Sequence, residues 1–353
     1  MRILAALSGG VDSSVAAALL VDAGHDVVGA TMKLWGGKSD SGCCSVADVE
    51  DARRVADRLG IDHHVFNFTE EFERHVVGPY ADAYSRGRTP NPCIECNRHL
   101  KFDAFLERAG RLSYDAIATG HHASVERDEH SGRARLLRGR DESKDQSYVL
   151  SCLTSAQLER LLLPVGELEK TEVRRIASER RLATATKPDS QDVCFVAGGS
   201  SARSRRRFLE TRIELHRGTV VDGGNGDVLG EIDAVELVTV GQRRGLGVAA
   251  GERRFAVDVD VVGRRVVVGD EASLEISYVP LSERTWTGTE LPEGSQVAVQ
   301  ASAHGRTAAA EVVGGGVRLL DARRRIAPGQ TVALYVGDEV VGSGIVQPGA
   351  AAA

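Results

Sequence analysis

The sequence has few aromatic residues and no long apolar segment, and both scarcities narrow the class of protein. Aromatic residues make up 5% of the 353 residues, whereas hydrophobic residues make up 42% and charged residues 27%. This balance is typical of a globular protein with a buried core, and the length favours two or three domains. No apolar run approaches the roughly 20 residues that a membrane-spanning helix requires, so we expect no membrane association. The start, Met1-Arg2-Ile3-Leu4, lacks the apolar region and cleavage site of a signal peptide, which favours a cytoplasmic location.

Cysteine is also scarce, and basic residues are not in excess. The net charge of −6 argues against non-specific coating of nucleic acid, although a local basic surface is compatible with it. In such a chain, cysteines are expected as buried thiols, metal ligands or catalytic thiols rather than as a disulfide framework. Cys152 lies in the apolar run at 148–153 and is predicted to belong to the core. The six cysteines are Cys43, Cys44, Cys93, Cys96, Cys152 and Cys194.

Short apolar strands alternate with helical patterns in the first half of the chain. This alternation predicts a doubly wound parallel sheet, which binds ligands at the carboxyl ends of its strands. We therefore expect an α/β domain of this kind over residues 1–204. Strands are expected at residues 3–7, 26–31, 63–68 and 115–119, and helices at 13–23 and 45–59.

Beyond residue 205 the pattern changes to short β-type runs separated by glycine-rich turns. This spacing favours small antiparallel sheets or barrels. We expect a central, mostly β module over residues 205–277 and a C-terminal β-barrel-like domain over 278–353. The runs lie at residues 218–221, 234–239, 255–262, 265–269, 296–301, 308–313 and 331–336.

The loop Ser8-Gly9-Gly10-Val11-Asp12-Ser13-Ser14 separates the first strand from the first helix. Its glycines let the backbone approach an anion, while the serine hydroxyls and the helix N-terminus supply hydrogen-bond donors. Asp12 is suited to holding Mg²⁺ on a pyrophosphate group, and the loop lacks the Gly-Lys-Ser/Thr ending of a Walker A motif. It resembles the pyrophosphatase loop of the adenine-nucleotide alpha-hydrolase superfamily. That resemblance implies that residues 1–204 form an ATP-binding catalytic domain, which cleaves ATP to AMP and pyrophosphate.

A second motif, Thr89-Pro90-Asn91-Pro92-Cys93-Ile94-Glu95-Cys96-Asn97, leads into a helix predicted at residues 97–105. We expect Cys96 at the N-terminus of this helix, where the helix dipole favours a thiolate. Cys194 lies much further along the chain, in the polar segment Lys187-Pro188-Asp189-Ser190-Gln191-Asp192-Val193-Cys194-Phe195.

Together with these motifs, four further blocks resemble the bacterial tRNA-specific 2-thiouridylase family nearly from end to end. They are Gly42-Cys43-Cys44-Ser45, Ala118-Thr119-Gly120-His121, Lys144-Asp145-Gln146-Ser147-Tyr148 and residues 239–247. The resemblance implies ATP-dependent 2-thiolation of the wobble uridine in the lysine, glutamate and glutamine tRNAs. It also implies ATP with Mg²⁺, and two partners: tRNA, and a sulfur-donor protein that is a cysteine desulfurase or a sulfur-relay protein.

The resemblance assigns roles to individual residues by their position. Cys96 corresponds to the nucleophile and Cys194 to the cysteine that bears a persulfide. Contacts with ATP are implied for Ala6, Leu7, Ser8, Gly9, Gly10, Val11, Asp12, Ser13, Ser14, Met32 and Gly120. Contacts with tRNA are implied for Asn91, Pro92, Cys93, His121, Lys144, Asp145, Gln146 and Gln330. His122 has no counterpart with a role and is expected to be an ordinary histidine.

Cys93 departs from the family pattern, because many members have Asp at this position. Cys93, Cys96 and Cys194 could instead bind a 4Fe–4S cluster with one open iron, which is an alternative to the persulfide. A structural zinc site would require a fourth ligand.

Two further functions are alternatives. An amidating ligase of the same superfamily would use ammonia or an amine and would need no reactive cysteine pair. A silent tRNA-binding protein would retain the fold without turnover of ATP.

Overall fold

The computed structural model describes residues 1–35, 45–189, 193–199, 201–248 and 253–349. Cys43 and Cys44 lie outside these ranges, and so do residues 190–192 of the polar segment that contains Cys194. Within the described residues, no helix combines the length and apolar character needed to cross a bilayer.

The first part of the chain forms a five-stranded parallel sheet in the order β3-β2-β1-β4-β7. The four predicted strands are confirmed, while the two-residue β7 was not predicted. Ile3, Leu4 and Ile117 on the central strands are fully buried, which explains why their segments consist of apolar residues. The strands of this region are β1 Arg2–Ala6, β2 Asp26–Lys33, β3 His63–Asn67, β4 Ala116–Ala118, β5 Ala123–Arg127, β6 Ala134–Arg138 and β7 Leu161–Leu162.

Helices connect the parallel strands, and two of them were predicted closely. The second helix begins after Ser45, whose hydroxyl and backbone pair with Asp48 in a capping box, and ends at Gly60 with φ of 69°. The α-helices are α1 Val11–Asp22, α2 Val46–Leu59, α3 Thr69–Phe72, α4 Gly78–Ser85, α5 Pro92–Cys96, α6 Phe105–Arg111, α7 Ser147–Leu150, α8 Ser155–Leu158, α9 Lys170–Glu179 and α10 Ala202–Leu209. Glu73–Val77 and Asn97–Ala104 are π-helical.

The central region is a four-stranded sheet in the order β10-β11-β8-β9. The predicted strand at residues 234–239 is wrong, because Val235–Leu237 forms a 3₁₀ turn. The buried Glu236 carboxylate in this turn accepts hydrogen bonds from the backbone and ring of His216 at 3.0 and 2.8 Å, which fixes the turn. The strands are β8 Gly218–Asp222, β9 Val228–Ile232, β10 Phe255–Asp260 and β11 Arg265–Gly269; a further 3₁₀ turn is Ala272–Leu274.

The C-terminal region is a closed six-stranded antiparallel barrel, in which β12 pairs with both β15 and β17. The position expected as a domain boundary, residues 277/278, lies inside the long strand β12. The hairpin β5–β6 also extends the barrel, because Leu137 of β6 pairs with Glu339 of β17. The barrel strands are β12 Glu275–Trp286, β13 Gln296–Gln300, β14 Ala308–Val313, β15 Gly316–Arg324, β16 Thr331–Val336 and β17 Glu339–Val346.

Candidate active site

A cavity of about 680 Å³ opens at the carboxyl ends of β1, β2 and β4. In the sheet, β1 has β2, the next strand along the chain, as its neighbour on one side and β4 as its neighbour on the other. Such a change of direction opens a crevice between neighbouring loops, which is where parallel sheets bind ligands. The loop after β1 and the residues after β4 both line this crevice.

The loop after β1 is held by its own serine hydroxyls. Ser13 Oγ accepts a hydrogen bond from the Ser8 N–H at 3.2 Å and donates to the Gly10 carbonyl at 3.0 Å. Ser14 Oγ donates to the same carbonyl at 2.8 Å. Helix α1 begins directly at Val11, and the N–H groups of its first turn have no acceptors within the helix. The arrangement suits the oxygens of a phosphate group.

Gly120 brings the end of β4 against this loop. A Cβ atom at Gly120 would lie 2.4 Å from the Ser13 nitrogen and 2.5 Å from the Asp12 carbonyl carbon, so only glycine fits. Every residue predicted to contact ATP lines the cavity except Gly9 and Ser14. Gly9, with φ of 73°, packs instead on the backbone of Asp48. We call Ser8, residues 10–13 and Gly120 the nucleotide wall.

Asp12 lies at the centre of a charged network in this wall. Lys170 Nζ, at the start of α9, is 2.7 Å from both carboxylate oxygens, and His122 Nε2 is 3.2 Å from one of them. Burial raises the pKa of Asp12, but the hydrogen bonds from His122 and Lys170 outweigh it, and the pKa is lowered. The carboxylate is therefore charged near neutral pH. Mg²⁺ is usually bound by one or two carboxylates together with phosphate oxygens. The Asp12 carboxylate, beside a site that suits a phosphate group, is a ligand of this kind.

His122 is thus not the ordinary residue that we expected. Its side chain is buried, and its backbone exchanges two hydrogen bonds with Gln146, at 2.9 and 2.8 Å. The predicted contact residue His121 lies beside it, and its Nδ1 is 2.7 Å from Thr119 Oγ1. Burial, followed by the charge of Lys101, holds the pKa of His121 well below its usual value. His121 is therefore a neutral imidazole facing the cavity.

The cysteine motif also lines the cavity, and one prediction about it is wrong. The helix begins at Pro92, earlier than predicted, and continues without a break through α5, the π-helical stretch and α6. Asn91 caps it by accepting hydrogen bonds from the N–H groups of Cys93 and Ile94. Cys93 therefore occupies the first turn, whereas Cys96 lies at the end of α5. The dipole argument applies to Cys93 rather than to Cys96.

Cys194 reaches the same cavity from a distant part of the chain. The next residue, Phe195, is only 3% exposed and packs against Phe72 and Phe208 with ring centroids 5.7 and 5.2 Å apart. This aromatic packing fixes the backbone next to Cys194. We call Cys93, Cys96 and Cys194 the sulfur wall.

The described cysteines do not form a site for a single metal ion. Across residues 1–35, 45–189, 193–199, 201–248 and 253–349, no three histidine, cysteine or carboxylate side chains are grouped so that they could hold one ion. The 4Fe–4S alternative, in which Cys93, Cys96 and Cys194 would each bind a different iron, stays a prediction.

Three family models match successive parts of the chain. They are described as a tRNA methyl transferase HUP domain at residues 1–198, a tRNA methyl transferase PRC-barrel domain at 206–270 and an aminomethyltransferase beta-barrel domain at 280–346. The tRNA-specific 2-thiouridylase MnmA of Mycolicibacterium paratuberculosis is 46% identical over 98% of this chain and 99% of that protein. The chain belongs to the tRNA-specific 2-thiouridylase family. The protein of that name from Carboxydothermus hydrogenoformans is 44% identical over 98% of this chain and 97% of its own.

A solved structure also matches this 2-thiouridylase family member, at a much lower level. The U34-tRNA thiolase NcsA from Methanococcus maripaludis, with its 4Fe–4S cluster, gives a TM-score of 0.36 and 16% identity over 60% of this chain and 65% of that chain. A match at this level adds nothing to the assignment.

The residues predicted to contact tRNA lie in different surroundings in this chain. Pro92, Cys93, His121, Lys144, Asp145 and Gln146 line the cavity, but Asn91 and Gln330 do not. The Asp145 carboxylate is occupied within the protein, since it accepts hydrogen bonds from Arg138 at 2.7 Å and from the Ser147 hydroxyl at 2.8 Å. Gln330 donates through Nε2 to the carbonyl of Thr89. It therefore joins the barrel to the first residue of the cysteine motif.

Several cavity residues were not identified from the sequence. Lys170, Asn97 and Lys101 line the cavity from two helices, and Ala303 and His304 reach it from the barrel. Asn97 and Lys101 follow Cys93 at intervals of four residues along one helix. This spacing places them on the same helix face as Cys93, so they could have been predicted from the sequence. The positions of Lys170 and His304 depend on how separate elements pack, and no local pattern distinguishes them.

Cys152 is confirmed as a core residue. Its side chain is 2% exposed and its thiol donates to the Ile94 carbonyl at 3.7 Å. Burial raises the pKa of Cys152 to about 12. Its thiol therefore stays protonated near neutral pH, and it takes no part in the sulfur wall.

Proposed function

We propose that this 2-thiouridylase family member uses ATP to replace the C2 oxygen of the wobble uridine in tRNA by sulfur. The observation that carries the proposal is that Cys96 and Cys194 share one cavity with the loop that suits a phosphate group. Activation by ATP and delivery of sulfur can then act on the same base. The expected acceptors are the lysine, glutamate and glutamine tRNAs.

The first step is activation of the uridine. The C2 oxygen attacks the α-phosphate of ATP, the bond between the α and β phosphates breaks, and pyrophosphate leaves. The nucleotide wall, with Ala6, Leu7, Gly9, Ser14 and Met32, is proposed to bind ATP, and its N–H groups would stabilise the negative charge on the phosphates. Asp12 would hold Mg²⁺, which supplies further positive charge to the leaving pyrophosphate.

The second step is transfer of sulfur. The terminal sulfur of a persulfide on Cys194 attacks C2, and AMP leaves with the original C2 oxygen. The Cys96 thiolate then attacks the Cys194 sulfur, which releases the thiolated base and leaves a Cys96–Cys194 disulfide. Alternatively, Cys96 first reduces the persulfide to hydrosulfide, which attacks C2. Either route oxidises the two cysteines, so an external thiol must reduce them before the next turnover.

The tRNA is proposed to approach from the side of the sulfur wall. A uridine must leave the anticodon stack to enter a cavity, so backbone contacts and a pocket for the base are both required. Lys144, Gln146, Pro92 and the neutral His121 are proposed to surround the base or its phosphates. Three further residues make contacts within the protein, and we propose that they support the residues that contact tRNA. They are Asn91, Asp145 and Gln330.

The remaining parts of the proposal concern domains and partners. We propose a catalytic domain at residues 1–204, a central module at 205–277 and a barrel at 278–353, the latter two contacting tRNA. A cysteine desulfurase or a sulfur-relay protein is proposed to load Cys194. We derive no step through an iron–sulfur cluster.

The function can be tested by nucleoside mass spectrometry of tRNA from a strain that lacks its own 2-thiouridylase. Wild type should restore 2-thiouridine, whereas Cys96→Ser and Cys194→Ser should not. Full 2-thiouridine with either serine variant would refute the assigned roles. Pyrophosphate release from the purified protein without thiolation of tRNA would favour an amidating ligase, and tRNA binding without ATP turnover would favour a silent binding protein.

A further inference from the structure

The barrel supplies a histidine to a cavity that is lined mainly by the first part of the chain. Ala303 and His304, in the loop between β13 and β14, line the cavity together with Lys144 and Gln146. His304 is exposed and also lines the cavity, so it lies where the cavity opens to solvent. Lys144, whose side chain is 40% exposed, combines the same two properties. The open side of the cavity therefore carries side chains from two distant parts of the chain.

The loop that carries His304 is held by the side chain of Gln300, the last residue of β13. Gln300 Nε2 donates to the carbonyls of Ser302 and Ala303 at 2.9 and 3.2 Å. The Gly305 N–H also donates to the Ser302 carbonyl, at 3.0 Å, which closes a turn with His304 at its centre. Gln300 is only 3% exposed, so water has little access to these bonds. The Gln300 amide therefore fixes the position of the turn.

Arg138 determines which end of the Gln300 amide faces this turn. Arg138 Nη2 donates to Gln300 Oε1 at 2.9 Å, so the amide oxygen points to the guanidinium and the amide nitrogen to the turn. Arg138 Nη1 donates to Asp145 Oδ2 at 2.7 Å, and the guanidinium lies 3.9 Å from the centre of the Tyr335 ring. The planar fork of an arginine can bridge two acceptors in this way. One guanidinium thus joins the segment 144–146 to the barrel loop.

The rest of the barrel is fixed independently of the Gln300 side chain. The Tyr148 hydroxyl lies 3.2 Å from the Ala301 carbonyl, at the start of the loop, and 3.0 Å from the Thr331 carbonyl. Strand β13 is also paired on both sides, with β14 and with β16. A change in the Gln300 side chain should therefore displace the turn while the barrel stays in place.

We propose that Gln300 is a positioning residue that holds His304 at the opening of the cavity, where the imidazole contacts a nucleotide next to the target uridine. The inference rests on the proposed function, because it requires tRNA at this cavity. A uridine that leaves the anticodon stack exposes the faces of its neighbours, and imidazole rings stack on such bases. His304 and the segment 144–146 then bind the same stretch of tRNA. The buried Asp145 aligns these two surfaces through Arg138.

The experiment measures how tightly the reduced protein binds an unmodified transcript of a glutamate tRNA, by fluorescence anisotropy. His304→Ala should weaken binding by about fivefold, because one stacking contact is lost. Gln300→Glu keeps an acceptor for Arg138 but cannot donate to the carbonyls of the turn, so it should weaken binding by a similar factor. Since both variants remove the same contact, the double variant should bind no more weakly than either single variant.

Further variants separate positioning from charge and from folding. Gln300→Met removes the amide without adding charge and should reproduce the loss. Gln296→Glu adds a charge at the exposed start of the same strand, and His130→Ala removes an exposed histidine between β5 and β6; both should bind tRNA as wild type does. All variants should bind Mg-ATP with wild-type affinity in equilibrium dialysis.

Two results would overturn the inference alone. One is wild-type affinity for tRNA in His304→Ala. The other is a double variant whose loss equals the product of the two single losses, because a purely structural role of Gln300 would make the effects independent. A wild-type protein that does not bind the tRNA would instead contradict the proposed function.

Discussion

The nucleotide wall and the sulfur wall face the same cavity, but the chain builds them in different ways. The nucleotide wall comes from the ends of two neighbouring strands, β1 and β4, and its loop is fixed by hydrogen bonds among adjacent residues. The sulfur wall joins Cys96 and Cys194 from distant parts of the sequence, and these are held by a helix and by the aromatic packing of Phe195. The loop of the nucleotide wall is fixed largely by its own residues, although Gly120 and Lys170 also contact it. The positions of the two cysteines depend instead on the packing of distant parts of the chain.

Removal of the sulfur carrier should give the largest effect. Cys194→Ser is expected to abolish formation of 2-thiouridine, because serine cannot carry a persulfide. The nucleotide wall is unchanged in this variant, so a single turnover of tRNA-dependent pyrophosphate release should persist. Quench-flow measurement of pyrophosphate, with mass spectrometry of the nucleosides, distinguishes the two steps. Loss of both steps together would contradict the division of the cavity into two walls.

A change in the nucleotide wall should have the opposite effect: it should impair pyrophosphate release and leave the loading of sulfur intact. Asp12→Asn removes the charge that faces Lys170 and the proposed Mg²⁺, so tRNA-dependent pyrophosphate release should fall by about a hundredfold. Loading of Cys194 with sulfur from a small-molecule persulfide should be retained. Asp26→Asn, at a largely exposed carboxylate that pairs with Arg2 on the surface, is the matched control and should retain wild-type rates.

A smaller effect should follow from a change in backbone packing. Gly120→Ala places a methyl group against the Asp12–Ser13 backbone, so the loop must shift, and we expect ATP affinity to fall by about tenfold. Gly349→Ala adds a methyl group in open space and should have no effect. Calorimetric titration with Mg-ATP measures both variants. An unchanged affinity in Gly120→Ala would mean that the loop tolerates displacement.

The smallest effect on activity is expected at Cys152. Cys152→Ala should lower the free energy of unfolding by about 1 kcal/mol because it leaves a small cavity, while thiolation stays within about twofold of wild type. In the wild-type protein, Cys152 should resist iodoacetamide near neutral pH, since burial raises its pKa to about 12. Denaturant unfolding and peptide mass spectrometry test the two statements. Rapid alkylation of Cys152 in the folded protein would show that the core around it opens.

The two walls also differ in how far the sequence alone predicts them. The loop at Ser8 and the strands beside it could be predicted because the glycines, serines and apolar runs act on their immediate neighbours. The family resemblance also predicts that Cys96 and Cys194 lie at the same site as this loop. The start of the cysteine helix was misplaced, although Asn91 followed by Pro92 is a typical N-cap and first helical position.

Other features could not be predicted, because they arise from contacts between elements. Lys170 is one of six lysines in the sequence, and only the packing of α9 against α1 brings it to Asp12. His122 reaches Asp12 because β4, which precedes it, lies beside β1 in the sheet. The hairpin β5–β6 joins the barrel through β17, and no local pattern in residues 123–138 indicates such a distant partner.

The most direct test of the account follows the C2 oxygen itself. A tRNA substrate carrying ¹⁸O at C2 of the target uridine is incubated with ATP, Mg²⁺ and protein that has been loaded with persulfide, and the AMP is analysed by mass spectrometry. The account predicts one ¹⁸O in AMP for each 2-thiouridine formed, because AMP leaves with the original oxygen. Unlabelled AMP formed together with 2-thiouridine would contradict activation by adenylation at this cavity.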